Sequence, residues 1–544
     1  GNVSGNHGNF DYWVVKLNYL GNIQWQKCLG GTSDDYATSI QQTNDNGFIV
    51  AGYTESNNGD VSGNHGSYDY WVVKLDSSGD TLWTKCLGGT DWDFATSIQQ
   101  TNDSGFIVAG YTKSNDGDVT GNHGDYDYWV VKLGSLGDIQ WQKCLGGTNT
   151  DFAYSIQQTS DEGFIVAGET YSNNGDVSVN HGYTDFWVVK LNSLGTIQWQ
   201  KCLGGSNIDG ASSIQQTSDE GFIVAGTTHS NDGDVSGNHG GYDYWIVKLD
   251  SYGYIQWQKC LGGTNPDLAY SIQQTSDEGF IVAGYTQSYD CNVFGNHGYY
   301  DYWVVKLDSS GDIQWQKCLG GSNIDCASSI QQTSDEGFIV AGYAYSNNGD
   351  VSGNHGSFDY WVVKLIINTE TDILSYSFPQ QTDNAVIDNI NHTVDIEVEY
   401  GTDLSSLIAT FTLSPGATAY IGSVLQQSGV TTNDFTNPVT YNIIAEDGVT
   451  NQDWIVTVSI NNLVENKDIN KLNIYPNPAS DIVIIENAEN SKISIINMLG
   501  QVVFSQTLIN NNIKLNVSQI PNGTYLIRIE NNNEVITKKL NVIR

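Results

Sequence analysis

One phrase recurs through the first part of the chain at a fixed interval of 58 residues. The tripeptide Asp-aromatic-Trp begins at Asp11, Asp69, Asp127, Asp185, Asp243, Asp301 and Asp359. Seven occurrences without drift leave little freedom, because each repeat must be one supersecondary unit stacked on copies of itself. Apolar residues do not recur at three-and-four spacing, so the unit contains no helix. An all-β unit of this size suits the four-stranded blade of a propeller.

The second copy shows the strands. Gly47-Phe-Ile-Val-Ala-Gly-Tyr53 is short, apolar and bounded by glycine, and reads as an inner strand crowded near the axis. After a polar stretch comes Tyr70-Trp-Val-Val-Lys-Leu75, rich in β-branched and aromatic residues. Asp76-Ser-Ser-Gly79 turns the chain into Leu82-Trp-Thr-Lys-Cys-Leu87, and Ala95-Thr-Ser-Ile-Gln-Gln100 follows as the fourth strand. Six copies of the inner strand, seven of the second and six each of the others give five complete blades. A sixth blade shared by both ends would close the ring and remove its edges. A seven-bladed ring accounts equally for the second strand left over. The expectation is an all-β chain: a β-propeller over residues 1–365, of six blades or alternatively seven, followed by two small β-sandwich domains.

Charge narrows the function. Lys+Arg number 22 against 61 Asp+Glu, a net charge of -39. The only arginines are Arg528 and Arg544. Such a field repels phosphate backbones, so nucleic acid is excluded as a partner. No run of about 18 apolar residues is present to span a bilayer as a helix. The chain starts at Gly1 inside a repeat with no signal peptide, which reads as a clipped N-terminus and not as a cytoplasmic address.

The repeat phrase Asp-Glu-Gly-Phe-Ile-Val-Ala-Gly, followed by Asp-Tyr-Trp-Val-Val-Lys-Leu-Asp-x-x-Gly, resembles bacterial delta-sixty and related propeller repeats. Its Leu-Asp-x-x-Gly…Trp hairpin is also similar to quinoprotein-type blades. That resemblance covers residues 1–365 and implies a fold but no single function. Residues 371–461 carry Ile373-Leu-Ser-Tyr-Ser-Phe378, Tyr400-Gly-Thr-Asp-Leu404 and Trp454-Ile-Val-Thr-Val-Ser-Ile460. They resemble a Bacteroidetes domain of unknown function with an immunoglobulin-like sandwich, which implies a spacer. Residues 462–471 read as a polar linker. Residues 471–544 contain Asn473-Ile-Tyr-Pro-Asn-Pro-Ala-Ser-Asp481, Asn497-Met-Leu-Gly500 and Asn522-Gly-Thr-Tyr-Leu-Ile-Arg-Ile529. They resemble the type A sorting domain of type IX secretion. This implies passage through the periplasm, handling by the type IX machinery, and a secreted or surface-attached product.

The long loop Ser56-Asn-Asn-Gly-Asp-Val-Ser-Gly-Asn-His-Gly66 and the connection Gly88-Gly-Thr-Asp-Trp-Asp93 must leave the same face, because two strand reversals separate them. That face gathers Asp, Asn, Gly and His from every blade, and propeller function sits on such loops. Ligand-binding candidates are Trp92, Asp60, Asn64, His65 and Asp93. Asp60, Asn64 and Asp69 are hard oxygen ligands that offer a possible calcium site, set against the alternative that they cap turns through backbone amides. Trp92 occupies a loop place held by smaller side chains in the other copies and is the candidate carbohydrate contact. The recurring His of Asn-His-Gly reads as loop packing, since each blade supplies only one. No nucleophile elbow, zinc motif or Cys/His arrangement occurs.

Six cysteines recur once per blade on the third strand and read as free, buried thiols. Cys291 and Cys326 are off-register, and a disulfide between them is weighed evenly against independent drift. The leading expectation is a non-enzymatic secreted propeller binding an extracellular glycan or protein on its long-loop face. The alternatives are an extracellular polysaccharide hydrolase or lyase, and a purely structural spacer. Residues breaking repeat symmetry at the channel mouth favour an enzyme, a uniform ring favours binding or scaffolding, and a spacer needs no polar pocket.

Overall fold

The computed structural model describes residues 2–366, 368–448, 450–461, 472–486, 488, 491–507, 512–530 and 535–544. The linker read at residues 462–471 lies outside them. The chain divides into two units, residues 1–370 with 444–451 and residues 371–443 with 452–544.

In the first unit each repeat makes one antiparallel sheet of four strands. In the first complete sheet they are strand a (Asp35–Gln42), b (Phe48–Thr54), c (Asp69–Leu75) and d (Thr81–Leu87). Five such sheets follow one another. Strand c is buried along its whole length in each of them, because sheets pack against it on both sides. This explains why its sequence is a continuous apolar run without alternation. Its buried lysine survives by pairing: the Lys74 ammonium donates to Asp45 at 2.9 Å and to the Leu75 carbonyl at 3.0 Å.

Strand a of each sheet touches strand a of the next, so strand a lines the axis. The expectation that the Phe-Ile-Val-Ala-Gly strand is innermost is therefore corrected; it is second. Its small residues do not mark the axis, since burial between a and c demands apolar side chains too. Strand a alternates buried and half-buried residues, and its Thr, Ser and Gln suit a wetted channel wall.

The ring contains seven sheets. The aromatic residue that opens strand c packs on the Trp of the next sheet in every junction. The ring pairs are Tyr12–Trp71, Tyr70–Trp129, Tyr128–Trp187, Phe186–Trp245 and Tyr244–Trp303, all with centroids 4.5 Å apart. Tyr302–Trp361 follows at 4.6 Å, and Tyr360–Trp13 joins the end of the repeats to their beginning at 4.7 Å. Tyr360 also donates its hydroxyl to the Trp13 carbonyl, the same bond that Tyr70 makes to Trp129. Closure does not use a shared sixth blade. Tyr12–Leu17 and Ile23–Leu29 pair only with each other, while Asp325–Gln332, Phe338–Ala344 and Asp359–Leu365 form their own sheet. The Tyr360–Trp13 contact gives the first two strands a separate angular position, which is why seven is realised. An apolar cleft of about 570 Å³, lined by Trp13, Val15, Ile40, Val50, Trp361 and Val362, lies at this seam.

Loops segregate by face as their chain order requires. The long loop between b and c packs against the d–a connection: Asp118 N–H donates to the Gly88 carbonyl at 2.9 Å, and Thr90 N–H to Asp116 Oδ1 at 2.8 Å. The opposite face carries tight turns, such as Thr101 to Ser104, where Ser104 takes a φ of 65°.

The second unit holds two hydrophobic cores. One packs Tyr376, Phe378, Phe411, Tyr441 and Trp454 between a six-stranded sheet and smaller pairings. The other packs Val483, Ile485, Ile493, Ile495, Ile527 and Leu540 between sheets of three and four strands. No helix occurs among the described residues.

Candidate functional site at the channel mouth

Most of the polar residues singled out on the long-loop face are occupied with building the loops. Asn64 donates Nδ2 to the Thr54 and Ser67 carbonyls at 2.9 and 3.0 Å and accepts the Gly66 amide on Oδ1. Asp69 accepts the His65 amide at 3.0 Å, and its Oδ2 lies 2.6 Å from His65 Nδ1. Asp93 is buried, takes the Thr112 hydroxyl, and accepts Gly89 N–H and Ser114 Oγ at 2.8 and 2.9 Å. Asp60 is exposed and accepts the Gly30 amide at 3.2 Å. The hydrogen bonds of Asp60, Asn64 and Asp69 thus run to different partners: the preceding d–a connection, the end of strand b, and His65. No group of three or more His, Cys, Asp or Glu gathers to hold a metal among the described residues. Trp92 remains at the rim, 48% exposed, with its ring edge-on to Phe94.

These buried carboxyls set a pH dependence. Burial pushes Asp93 up to about 6, against the lowering effect of its hydrogen bonds, and does the same to Asp127. Asp45 is held down at about 2, first by the Thr43 hydroxyl and then by Lys74. A raised carboxyl favours folding most below its unfolded value of about 4 and loses that contribution as pH rises through about 6. A lowered one contributes above about 4 and loses it as pH falls toward about 2. The midpoint of thermal unfolding of the propeller, followed by differential scanning calorimetry, should therefore peak near pH 4 and fall as pH rises toward about 6. A midpoint that rises steadily from pH 5 to 8 would contradict these environments.

All eight cysteines are free. The Cys291–Cys326 disulfide is not formed. Cys291 is exposed on its loop, whereas Cys326 lies not in a loop but in strand a, buried beside Tyr343. The six repeating thiols are free, and burial pushes Cys86, Cys202 and Cys260 up to about 12.

A different set of residues converges at the channel mouth. Strand a reads Asp-x-Ala-x-Ser-Ile-Gln-Gln in all six copies, varying only at its second and fourth places. The second holds Tyr36, Phe94, Phe152, Gly210, Leu268 and Cys326; the fourth holds Thr38, Thr96, Tyr154, Ser212, Tyr270 and Ser328. Strand b varies at its sixth place, where Tyr53, Tyr111, Tyr285 and Tyr343 contrast with Glu169 and Thr227. The fourth residue of strand a is the extra residue of a β-bulge in every sheet: Ala153 pairs with Gly168 and Ser155 with Ala167, leaving Tyr154 unpaired. A bulge at this place frees the side chain from the ladder and re-aims it.

These variable places line one pocket of about 460 Å³. Nine of its eleven lining residues are Thr96, Tyr154, Glu169, Gly210, Ser212, Thr227, Leu268, Tyr270 and Ser328, all at the three variable places; Ile208 and Tyr242 complete it. On one side an aromatic belt runs Tyr36–Tyr53–Phe94–Tyr111–Phe152, with centroids 4.5 to 5.1 Å apart. The belt stops where Glu169, Gly210 and Thr227 replace its rings, and the space becomes a slot between Tyr154 and Tyr270. Glu169 stands in it half-buried and accepts the Tyr154 hydroxyl at 3.1 Å. Burial raises both groups, and the Glu169 charge raises Tyr154 further. His229 stacks on Tyr242 at 4.9 Å. None of these was singled out from the sequence, although the signal was there: the columns in which near-identical repeats disagree.

Comparison with known proteins bears on the C-terminal domains. Residues 473–543 match the family described as secretion system C-terminal sorting domain, and residues 373–458 match SGBP, N-terminal. No curated protein sequence matches the chain. Among solved structures, PorZ, a surface component of the type-IX secretion system of Porphyromonas gingivalis, is 11% identical. That match covers 100% of this chain and 86% of that one, with a TM-score of 0.21. Sqt1 from Chaetomium thermophilum is 11% identical over 77% of this chain and 96% of that one, with a TM-score of 0.33. A GH43_12 protein from a capybara gut metagenome is 10% identical over 82% and 88%, with a TM-score of 0.26. Scores this low transfer no function. The sorting domain itself marks the chain as a secreted or cell-surface product of the type IX route.

Proposed function

We propose that this is an extracellular glycan-binding protein whose propeller holds a short saccharide in the slot between Tyr154 and Tyr270. The observation that carries the reading is the concentration of repeat variability in that slot. Where the ring needs only packing, the copies stay alike; where a ligand needs an asymmetric surface, they diverge. Two tyrosines, a carboxylate and the hydroxyls of Ser212, Thr227 and Ser328 supply the stacking faces and polar groups a pyranose uses. The matched SGBP, N-terminal domain and the sorting domain support a surface role in glycan capture.

Tyr154→Ala and Tyr270→Ala should each weaken oligosaccharide binding about thirtyfold or more, since truncating an aromatic anchor costs about 2 kcal/mol. A glycan array followed by calorimetry reads this, and unchanged affinity in both variants would sink the slot as the site. Trp92, the proposed rim contact, should matter only for longer chains: Trp92→Ala leaves a trisaccharide unaffected and weakens a decasaccharide.

The broken symmetry also keeps a second reading open, that of an enzyme on polysaccharide. Glu169, raised by burial and bonded to Tyr154, is the group it rests on. Two-carboxylate hydrolysis needs a partner acid, and Glu169 is the only carboxylate lining the slot. Appearance of new reducing ends or unsaturated products on incubation with the captured glycan would decide for the enzyme.

A further inference from the structure

We infer that the saccharide selected by the slot carries a free amine; this rests on the glycan reading above and narrows it. Glu169 occupies a place in strand b where four of the six copies have tyrosine. Its Oε1 is taken by the Tyr154 hydroxyl. Its Oε2 lies 2.7 Å from the point where a Cβ on Gly210 would sit, so it borders the room that this glycine leaves. No lysine or arginine lines the slot. Lys113, two places beyond the corresponding position (Tyr111) in the neighbouring sheet, is paired with Asp125 at 3.1 Å.

The Glu169 charge raises the phenols of Tyr111, Tyr128, Tyr154 and Tyr171, none of which can neutralise it. A half-buried carboxylate without a cation is costly to keep charged, and an incoming ammonium removes that cost while donating hydrogen bonds. Tyr154, Tyr242 and Tyr270 line the same space, and tyrosine faces attract ammonium groups. Uronic and sulfated sugars meet the opposite situation, a carboxylate in the slot and a chain of net charge -39. A neutral sugar satisfies the hydrogen bonds but leaves the charge uncompensated. A glucosamine-type residue with its amine unacetylated satisfies both requirements.

The test uses the full chain and three β-1,4 trisaccharides in isothermal titration calorimetry: glucosamine, N-acetylglucosamine and glucose. The glucosamine trimer should bind about tenfold or more tightly than the other two, the margin of one charge-assisted contact. Glu169→Gln, which keeps the shape and removes the charge, should erase that margin and bring the glucosamine trimer level with the two neutral ones. Gly210→Phe, with folding checked by near-ultraviolet circular dichroism, should block all three by filling the slot. Equal binding of the acetylated or glucose trimer would overturn amine selection while leaving glycan binding intact. An amine preference that survives Glu169→Gln would overturn the role of this carboxylate. Failure of all three trimers, and of longer glycans, would overturn the glycan reading itself.

Discussion

A chain ending before residue 472 should accumulate in the periplasm and reach neither the cell surface nor the medium. The loss is expected to be all-or-none, because export by the type IX route depends on the sorting domain as an address. The residues concerned share one hydrophobic core, in which Leu472, Val483, Ile485, Ile493, Ile495 and Ile527 are buried. The last residue is tied in, with the Arg544 guanidinium donating to the Val517 and Ile520 carbonyls at 2.7 and 2.9 Å. Surface labelling of whole cells, with immunoblots of periplasm and medium, makes the measurement. The propeller lies outside the deleted segment and should stay folded, so the trapped protein should remain resistant to protease. Undiminished surface display of the truncated chain would show that residues 472–544 are not the export signal.

The largest effect on stability is expected from a junction tryptophan. Trp187→Ala should destabilise the ring by about 3–5 kcal/mol, the usual cost of emptying a large, fully buried aromatic site. Trp187 is 0% exposed, packs on Tyr128, and donates its indole N–H to Gln200 Oε1 at 2.9 Å. Its loss opens a cavity between two sheets that have no other covalent or β-ladder link than the chain itself. Trp361 lies at the seam, half-buried, and has no d strand beside it; Trp361→Ala should cost markedly less. Fourteen of the fifteen tryptophans lie at or before residue 361, so fluorescence in a urea titration reports on the ring almost alone. Equal midpoints for the two variants would mean that the Tyr–Trp junctions do not hold the ring.

Much of this architecture is legible in the sequence because the repeat is strict. Seven copies at one spacing fix the strand order, and strand order alone puts residues 55–68 and 88–92 on the same face. The buried strand c is announced by Tyr-Trp-Val-Val-Lys-Leu, a run with no polar side to expose. The export route is legible for another reason: a sorting domain is recognised by local motifs from Asn473 onward, which need no tertiary partner to be read.

Other features depend on packing that no local signal carries. Strands a and b are both short and rich in small residues, and only the meeting of neighbouring a strands shows which one faces the axis. Blade number turns on whether Tyr360 meets Trp13, a contact between residues 347 apart in sequence. The polar side chains of the long loop look available in one dimension, yet hydrogen bonds between loop and strand engage Asn64, Asp93 and Oδ2 of Asp69. The slot is the extreme case. Tyr154, Glu169, Gly210 and Tyr270 come from three successive sheets, and each sits in a column where the repeats disagree. The sequence by itself determined the ring of like sheets, the face that carries its loops and the address at its C-terminus. Only the tertiary structure decided which strand lines the channel, how the ring closes and where its symmetry breaks, because those follow from contacts between copies and not from any one of them.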